Sequence, residues 1–220
     1  MNEVKSIYED DVLAAVSKPA GLVVHPGAGT KTTLLDELAA HWPQTAALER
    51  GGLVHRLDKE TSGIILIAKT PEALESLGKQ FHDRTVRKEY DALVVGHLDP
   101  PGGVIDAPLT RHHADRKRMA VRPDGRHAIT RYSVVREYRG VTLLRVRPET
   151  GRTHQIRVHL AALGHPLVGD VTYGKADPAL SRHFLHAALL EFTHPLSGAR
   201  MTLEDNLPSE LSEYLAKLEI

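Results

Sequence analysis

The segment that decides the fold reads Gly51-Gly52-Leu53-Val54-His55-Arg56-Leu57-Asp58-Lys59-Glu60-Thr61-Ser62-Gly63 and runs directly into Ile64-Ile65-Leu66-Ile67. The first part is dense in ionisable side chains and predicts a polar loop, whereas the second is a continuous apolar run, typical of a strand buried on both faces. A loop held by a rigid strand is a common place for a catalytic group, and Asp58 is the candidate. The alternative is that Asp58 only closes a turn by accepting backbone hydrogen bonds.

The regions around this segment carry strand and helix patterns. Strands are predicted over residues 3–8, 12–17, 64–67, 86–96, 126–137 and 141–147, and helices over 33–42 and 153–163, with two more beginning at Pro71 and Pro208. Many strands with few helices between them favour an α+β fold with a mixed, mostly antiparallel central sheet flanked by helices and loops. Because the Pro/Gly clusters are short and no repeat is present, we expect a single domain over 1–220, with a catalytic cleft.

The composition excludes several classes of protein. The chain has no cysteine, which excludes disulfides, thiol nucleophiles and cysteine-ligated zinc. No run of 18 apolar residues is present, so no membrane partner is expected. Residues 1–5 lack the basic-then-apolar pattern of a secretory signal, which predicts a cytoplasmic location.

The charges sum to zero but are unevenly distributed. Residues 111–131 hold seven Lys/Arg against two acids, whereas residues 204–220 hold five acids against one Lys. A basic patch of this kind indicates contact with nucleic-acid phosphates. Because Arg116, Lys117 and Arg118 are consecutive, only a loop lets all three reach phosphates, and 111–122 is predicted to be a mobile, substrate-binding loop. The alternative is a solvated surface turn.

A second polar segment is Gly151-Arg152-Thr153-His154-Gln155-Ile156-Arg157-Val158-His159-Leu160. Gly151 ends the preceding strand and Thr153 is a plausible N-cap. On a helix, His154 and Arg157 share a polar face, opposite the apolar stripe. Helix N-termini and arginines both attract anions, so this face is suited to a carboxylate or a phosphate. The alternative is an exposed amphipathic helix with solvated charges.

The third segment is the predicted strand that contains Tyr90. Alternation places Tyr90, Ala92 and Val94 on one face of that strand. Tyr90 can be a core aromatic residue whose hydroxyl is hydrogen-bonded, or it can be a stacking platform for a base.

The first segment resembles the signature of the large-subunit ribosomal RNA pseudouridine synthases, which is His-Arg-Leu-Asp followed by Thr-Ser-Gly or Thr-Thr-Gly. Other motifs of that family are matched, in order, by 18–26, 151–170 and 185–187. Within the family, residues 23–29 and the Arg111-His112-His113 segment are most similar to members that modify several uridines of one stem-loop. Those members usually carry a small basic RNA-binding domain before the catalytic part, whereas this sequence begins at the catalytic part.

The resemblance implies a role for particular residues. Asp58 is implied to be the catalytic carboxylate, which attacks the ribose, attacks the base or abstracts a sugar proton. Arg157 is implied to pair with that carboxylate, and Tyr90 to stack on the uracil. Arg56 is the candidate to fill the gap left by a flipped base, and Leu185 is implied to line the pocket.

The resemblance also implies the reaction and the partners. It predicts isomerisation of specific uridines to pseudouridine in RNA, with a stem-loop of large-subunit ribosomal RNA as the substrate and transfer RNA as an alternative. The reaction involves no redox step and no net hydrolysis, so neither a metal nor an organic cofactor is expected. A monomer is predicted.

Two rival functions remain open from the residues. Fourteen histidines could indicate a metal-dependent hydrolase, with His154 and His159, or His112 and His113, as ligands. No His-Glu-x-x-His or comparable cluster is present, which argues against that class. A non-catalytic RNA-binding module is the second rival, but such a module has no use for a carboxylate facing phosphates.

Overall fold

A computed structural model describes the protein at residues 4–25 and 32–218. The strands are β1 (Lys5–Glu9), β2 (Leu13–Lys18), β3 (Ser62–Ala68), β4 (Arg87–Val95), β5 (Gly102–Asp106), β6 (Leu109–Arg111), β7 (Met119–Val121), β8 (Ile129–Tyr138), β9 (Val141–Pro148), β10 (Leu185–Thr193) and β11 (Arg200–Glu204). The α-helices are α1 (Leu34–His41), α2 (Pro71–His82), α3 (Gln155–Ala162) and α4 (Ser209–Ala216), and short 3₁₀ helices cover Pro43–Ala47 and Glu49–Gly52.

The chain divides into two compact units. The first unit comprises Met1–Arg87 and Ala187–Asn206, and the second comprises Lys88–His186 and Leu207–Ile220.

In the first unit, β1, β2 and β3 are neighbouring antiparallel strands, and β11 pairs antiparallel with β10. Strand β3 is buried along its whole length, as its apolar run predicts. Its side chains pack with those of β2 and α2, so that Leu13, Ile64, Leu66 and Leu77 share one core. Helix α2 begins at Pro71, where its missing N–H costs nothing, and Thr70 caps it by accepting a hydrogen bond from the amide of Ala73.

In the second unit, the strand order is β4-β9-β8-β5, and each of these pairings is antiparallel. Strands β6 and β7 form a separate two-stranded sheet. One face of β4 and β9 packs against Ile156 and Leu160 of α3, and a second core forms around Phe184 and Leu211 of α4.

This architecture confirms the predicted α+β class with a mostly antiparallel sheet. The predicted strands and helices are present, with ends that differ by a few residues from those expected. Sequence reasoning missed β5, β6, β7, β10 and β11 because four of them span only three to five residues, of which β5 also contains two glycines, and β10 is rich in Ala and Leu. The family-like residues 26–29 lie outside the described part of the chain. Within that part, no helix has the length and apolar character needed to cross a membrane.

Candidate functional site

Asp58 lies half-buried in the first unit, in the loop that leads into β3. The backbone carbonyl of Asp58 accepts a hydrogen bond from the amide of Thr61, so the predicted turn is present. The carbonyl of the next residue, Lys59, accepts two hydrogen bonds, each of 2.9 Å, from Nζ of Lys18 and from the amide of Gly21. Hydrogen bonds to the carbonyls of Asp58 and Lys59 therefore fix the backbone beside the carboxylate.

Lys18 is the most unusual member of this arrangement because its charged side chain is completely buried. Its ammonium donates to three backbone carbonyls, those of Pro19 at 2.7 Å and of Leu22 and Lys59 at 2.9 Å. An ammonium has three donors, so each of its protons has an acceptor. Lys18 thus joins the family-like segment at 18–22 to the loop that carries Asp58.

The loop is also held on its N-terminal side. Leu53 forms an isolated antiparallel bridge with Ile67 of β3. The ring of His55 stacks on Phe81 of α2, with centroids 4.8 Å apart, while its Nε2 accepts a hydrogen bond from the amide of Leu66. That contact assigns the proton of the neutral His55 ring to Nδ1.

Gly63 is the second residue of β3, and a side chain does not fit there without movement of the backbone. Its φ of 116° lies in the region that favours glycine, and a Cβ at this position would collide with the backbone of Ala187. The Thr-Ser-Gly part of the signature therefore has a steric reason: the strand that follows Asp58 approaches its neighbour too closely for a side chain.

Arg56 is exposed on the same loop. Burial lowers the pKa of His25, and the charges of Arg56 and Arg50 lower it further, which favours the neutral ring. Arg50 and Arg56 are thus two cations whose charges reach the same position and would favour an anionic ligand there.

Two predicted site residues of the second unit, Tyr90 and Leu185, belong to the same hydrophobic cluster. Leu185 is buried in it, and Tyr90 packs against it half-buried, together with Ala92 and Val94 of the same strand face. The predicted alternation of β4 is therefore confirmed.

Arg157, on α3 of the second unit, forms a buried ion pair with Asp170. Its Nε lies 2.7 Å from Oδ2 and its Nη2 lies 2.9 Å from Oδ1. The two side chains are only 7% and 0% exposed. Burial raises the pKa of Asp170, but the hydrogen bonds and charge of Arg157, together with the amide of Thr172 and the charge of His183, hold the pKa below its ordinary value. Pairing of Arg157 with Asp58, a residue of the first unit, stays a prediction.

The alternative interpretation of α3, an exposed amphipathic helix with solvated charges, is wrong. Residues 155–160 are all buried, so Arg157 does not lie on an exposed face. The helix starts later than expected, with His154 rather than Thr153 as N-cap, and His154 has a left-handed φ of 53°. Gln155 contacts residues that precede the helix. Its Oε1 accepts hydrogen bonds from Thr150 Oγ1 and from the amide of Arg152, and these bonds shape the turn before the helix.

The basic segment is a hairpin, which corrects the expected continuous loop over 111–122. Strands β6 and β7 pair, and only residues 112–118 form the connecting loop. Arg116 and Lys117 are exposed at its tip, as predicted, whereas Arg118 is half-buried, with its Cζ 5.4 Å from the ring centroid of Tyr173. Two of the three cations can therefore reach phosphates directly.

Sequence reasoning missed Lys18 as an anchor, Asp170 as the partner of Arg157, and Tyr173. Both Lys18 and Asp170 lie in segments that resemble family motifs, so the resemblance marked the segments but not the contacts. Tyr173 lies three residues after Asp170 and carried no signal of its own.

His154 and His159, one of the two pairs offered as metal ligands, have other partners. His159 is buried, with Nδ1 2.9 Å from Thr130 Oγ1 and Nε2 2.9 Å from the carbonyl of Ala107, and burial lowers its pKa. His154 shares a hydrogen bond with the hydroxyl of Tyr173. Residues 4–25 and 32–218 contain no group of three or more side chains placed to hold a metal ion.

The RNA pseudouridylate synthase family model matches residues 12–162, well over half of the chain. A protein named ribosomal large subunit pseudouridine synthase D from Nitrosomonas europaea is 48% identical over 221 residues, which cover 96% of this chain and 64% of that protein. The protein of the same name from Pseudomonas aeruginosa is 44% identical and is covered to 72%. The chain thus spans about two thirds of the length of these relatives.

Solved structures agree with the sequence comparison. The structure titled human RNA pseudouridylate synthase domain containing 4 superposes with a TM-score of 0.78 and 25% identity, covering 98% of this chain and 94% of that one. The structure titled human RNA pseudouridylate synthase domain containing 1 superposes with a TM-score of 0.75 and 28% identity, covering 93% of this chain and 84% of that one. The chain therefore belongs to the RNA pseudouridylate synthase family.

Proposed function

We propose that the chain isomerises specific uridines to pseudouridine in large-subunit ribosomal RNA, with Asp58 as the catalytic carboxylate. The observation that carries the proposal is the position of Asp58, within an intact family signature and on a loop fixed by Lys18, Thr61 and β3. The names of the relatives in Nitrosomonas europaea and Pseudomonas aeruginosa support ribosomal RNA as the substrate.

The reaction breaks the bond between N1 and C1′ of the uridine and joins C1′ to C5; a proton leaves C5 and N1 gains one, so that the product is an isomer of the substrate. A carboxylate can assist by attacking C1′, by attacking the base or by taking a sugar proton. Each of these roles requires an oxygen held in a fixed place, because a positioned group avoids the entropy cost of finding its target. The anchored backbone on both sides of Asp58 meets that requirement.

The other assignments rest on the family motifs that the residues match. We assign Tyr90 to stacking on the uracil, Leu185 to the lining of the base pocket, and Arg56 to the gap that a flipped base leaves. Arg157 is assigned to the Asp58 carboxylate, since a guanidinium keeps a nearby carboxylate ionised.

Direct binding of the RNA backbone is assigned to Arg116 and Lys117 of the basic hairpin, and Arg118 is assigned to the same substrate-binding segment, held against Tyr173. We further propose that 1–220 acts as one catalytic domain, as a monomer and without metal or organic cofactor. Cytoplasmic location follows from the proposed substrate, ribosomal RNA.

The test is tritium release from a transcribed ribosomal RNA that carries tritium at uracil C5. Wild type should release tritium, and mapping of the product should place pseudouridine at defined positions. Asp58→Asn removes the ionised oxygen but keeps the shape of the side chain, so the rate should fall by at least about a hundredfold while RNA affinity is retained.

Asp11→Asn, which changes an exposed acid of the first unit, is the matched control and should leave the rate intact. Wild-type activity in Asp58→Asn would overturn the assignment. Tritium release from transfer RNA alone would show that transfer RNA, and not ribosomal RNA, is the substrate. RNA binding without tritium release would indicate a non-catalytic RNA-binding module.

A further inference from the structure

Tyr173 contacts three separate elements of the second unit. Its hydroxyl accepts a hydrogen bond of 2.7 Å from the amide of Met119, the first residue of β7. The same hydroxyl lies 2.8 Å from Nδ1 of His154, the N-cap of α3. Its ring lies near two guanidinium groups, with the Cζ of Arg157 5.1 Å and that of Arg118 5.4 Å from the ring centroid.

These contacts limit where the proton of the hydroxyl can go. The Met119 amide can only donate, so the phenolic oxygen accepts there and its own proton is left for a second partner. We take Nδ1 of His154, 2.8 Å away, as that partner, and the neutral imidazole is then the tautomer protonated at Nε2. The hydroxyl therefore joins β7 to the start of the helix that carries Arg157.

A second set of contacts fixes the segment from which Tyr173 projects. Oδ1 of Asp170 accepts hydrogen bonds from the amides of Thr172 and Tyr173, at 2.9 and 3.2 Å. The same oxygen accepts from Nη2 of Arg157. Asp170 thus holds both the arginine and the turn that places the tyrosine ring beside it.

Arg118 of the hairpin also contacts this ring. Its Nε is buried and has no hydrogen-bond partner among the residues that the structure describes. The guanidinium lies over the aromatic face of Tyr173, a cation–π contact that helps to hold this side chain although it does not satisfy the Nε–H. The exposed residues Arg116 and Lys117 directly precede Arg118. The contact between Arg118 and the ring of Tyr173 therefore helps to fix the position of the hairpin tip.

We propose that Tyr173 is a positioning residue that holds Arg157 and the tip of the basic hairpin in one fixed arrangement. The hydroxyl places the hairpin, through Met119 and His154, and the ring supports the guanidinium of Arg157. The inference rests on the proposed function, since it assigns RNA binding to the hairpin and a place in the reaction to Arg157. It predicts that loss of the hydroxyl affects binding and that loss of the ring affects the chemical step.

The test compares Tyr173→Phe with Tyr214→Phe, using initial rates of tritium release at a range of RNA concentrations. Tyr214 donates a hydrogen bond of 2.8 Å to Asp177 in the same unit, so its variant loses a comparable bond away from the hairpin. Tyr173→Phe should raise KM by roughly three- to tenfold and change kcat by less than about twofold. Tyr214→Phe should move neither by more than about twofold. Equal KM values for the two variants would overturn the proposal.

Tyr173→Leu removes the ring as well and should lower kcat by about tenfold in addition to the rise in KM. An unchanged kcat in a folded Tyr173→Leu protein would overturn the role assigned to the ring. If that variant does not fold, Tyr173→Met, which also lacks the ring, takes its place, and the KM of Tyr173→Phe decides the role of the hydroxyl.

Two readouts do not depend on isomerisation. The dependence of RNA affinity on salt should flatten by roughly one unit in Tyr173→Phe, because a misplaced hairpin neutralises fewer phosphates. The ¹⁵N resonances of His154, at a pH where the ring is neutral, should show Nε2 protonation in wild type and a mixture of tautomers in Tyr173→Phe. If wild type releases no tritium, the proposed function fails, and unchanged salt slopes and resonances would then also overturn this inference.

Discussion

The ammonium of Lys18 and the backbone carbonyl of Lys59 are joined by a hydrogen bond of 2.9 Å, although the residues are 41 positions apart. Lys59 directly follows Asp58, so this bond fixes the peptide next to the candidate carboxylate. The same carbonyl also accepts from the amide of Gly21. A buried cation is costly unless its protons are all accepted, and the three carbonyls around Lys18 meet that condition.

Lys18→Met should lower the free energy of unfolding by roughly 2–4 kcal/mol, because three buried carbonyls lose a charged donor. Urea denaturation measures the change. Lys59→Met makes the same substitution at a side chain that is 59% exposed and should cost less than about 0.5 kcal/mol. Equal stability of the two variants would show that the buried ammonium does not hold the loop.

Arg157→Met should lower the free energy of unfolding by about 3–5 kcal/mol, because it leaves the carboxylate of Asp170 buried without its arginine. Thermal or urea unfolding gives the value. The control is Lys79→Met, which breaks the exposed pair between Lys79 and Asp83 and should cost about 0.5 kcal/mol or less. A loss of activity in Arg157→Met without this loss of stability would indicate that Arg157 acts in the reaction and that its pair with Asp170 does not stabilise the fold.

The stability of the first unit should depend on Asp10 in acid. Burial raises the pKa of Asp10, but hydrogen bonds from the amides of Leu13 and Val12, from His194 and from Tyr8 lower it to about 2 from 3.8. Because the folded pKa lies below the unfolded value, the stabilisation is complete above about pH 4 and is lost as the pH falls toward 2.

Asp10→Asn should therefore be less stable than wild type at pH 5, and the difference should shrink steadily between about pH 4 and pH 2. Urea midpoints at several pH values measure it. A difference that is constant across this range would show that the charge of Asp10 does not contribute.

The exposed tip of the basic hairpin should govern the salt dependence of RNA binding. The double substitution Arg116→Ala and Lys117→Ala should weaken binding of all RNA sequences similarly and flatten the slope of log affinity against log salt by roughly 1.5 units, if each cation neutralises one phosphate. Filter binding at several salt concentrations measures the slope. Arg139→Ala, at an exposed position between β8 and β9, should leave it unchanged. Equal slopes for the double variant and wild type would identify the tip as a solvated turn.

Several features of the site were readable from the sequence because they depend on neighbours in the chain. The apolar run after Gly63 predicted the buried strand β3, and the alternation around Tyr90 predicted which face of β4 packs in the core. The order of the family-like segments indicated the family, and Asp58 is at the position expected, in a turn before a buried strand.

Only the tertiary structure decided which partners these side chains have. Lys18 reads as a charged residue before a proline, and it is buried because the loop 41 residues later folds over it. Arg157 reads as one cation of a polar helix face, and it is buried because Asp170, 13 residues later, lies against that helix. Tyr173 meets Met119 across 54 residues. Local periodicity reflects the geometry of one strand or helix, whereas the burial of a charge and the choice of its partner depend on packing between elements that are distant in the chain.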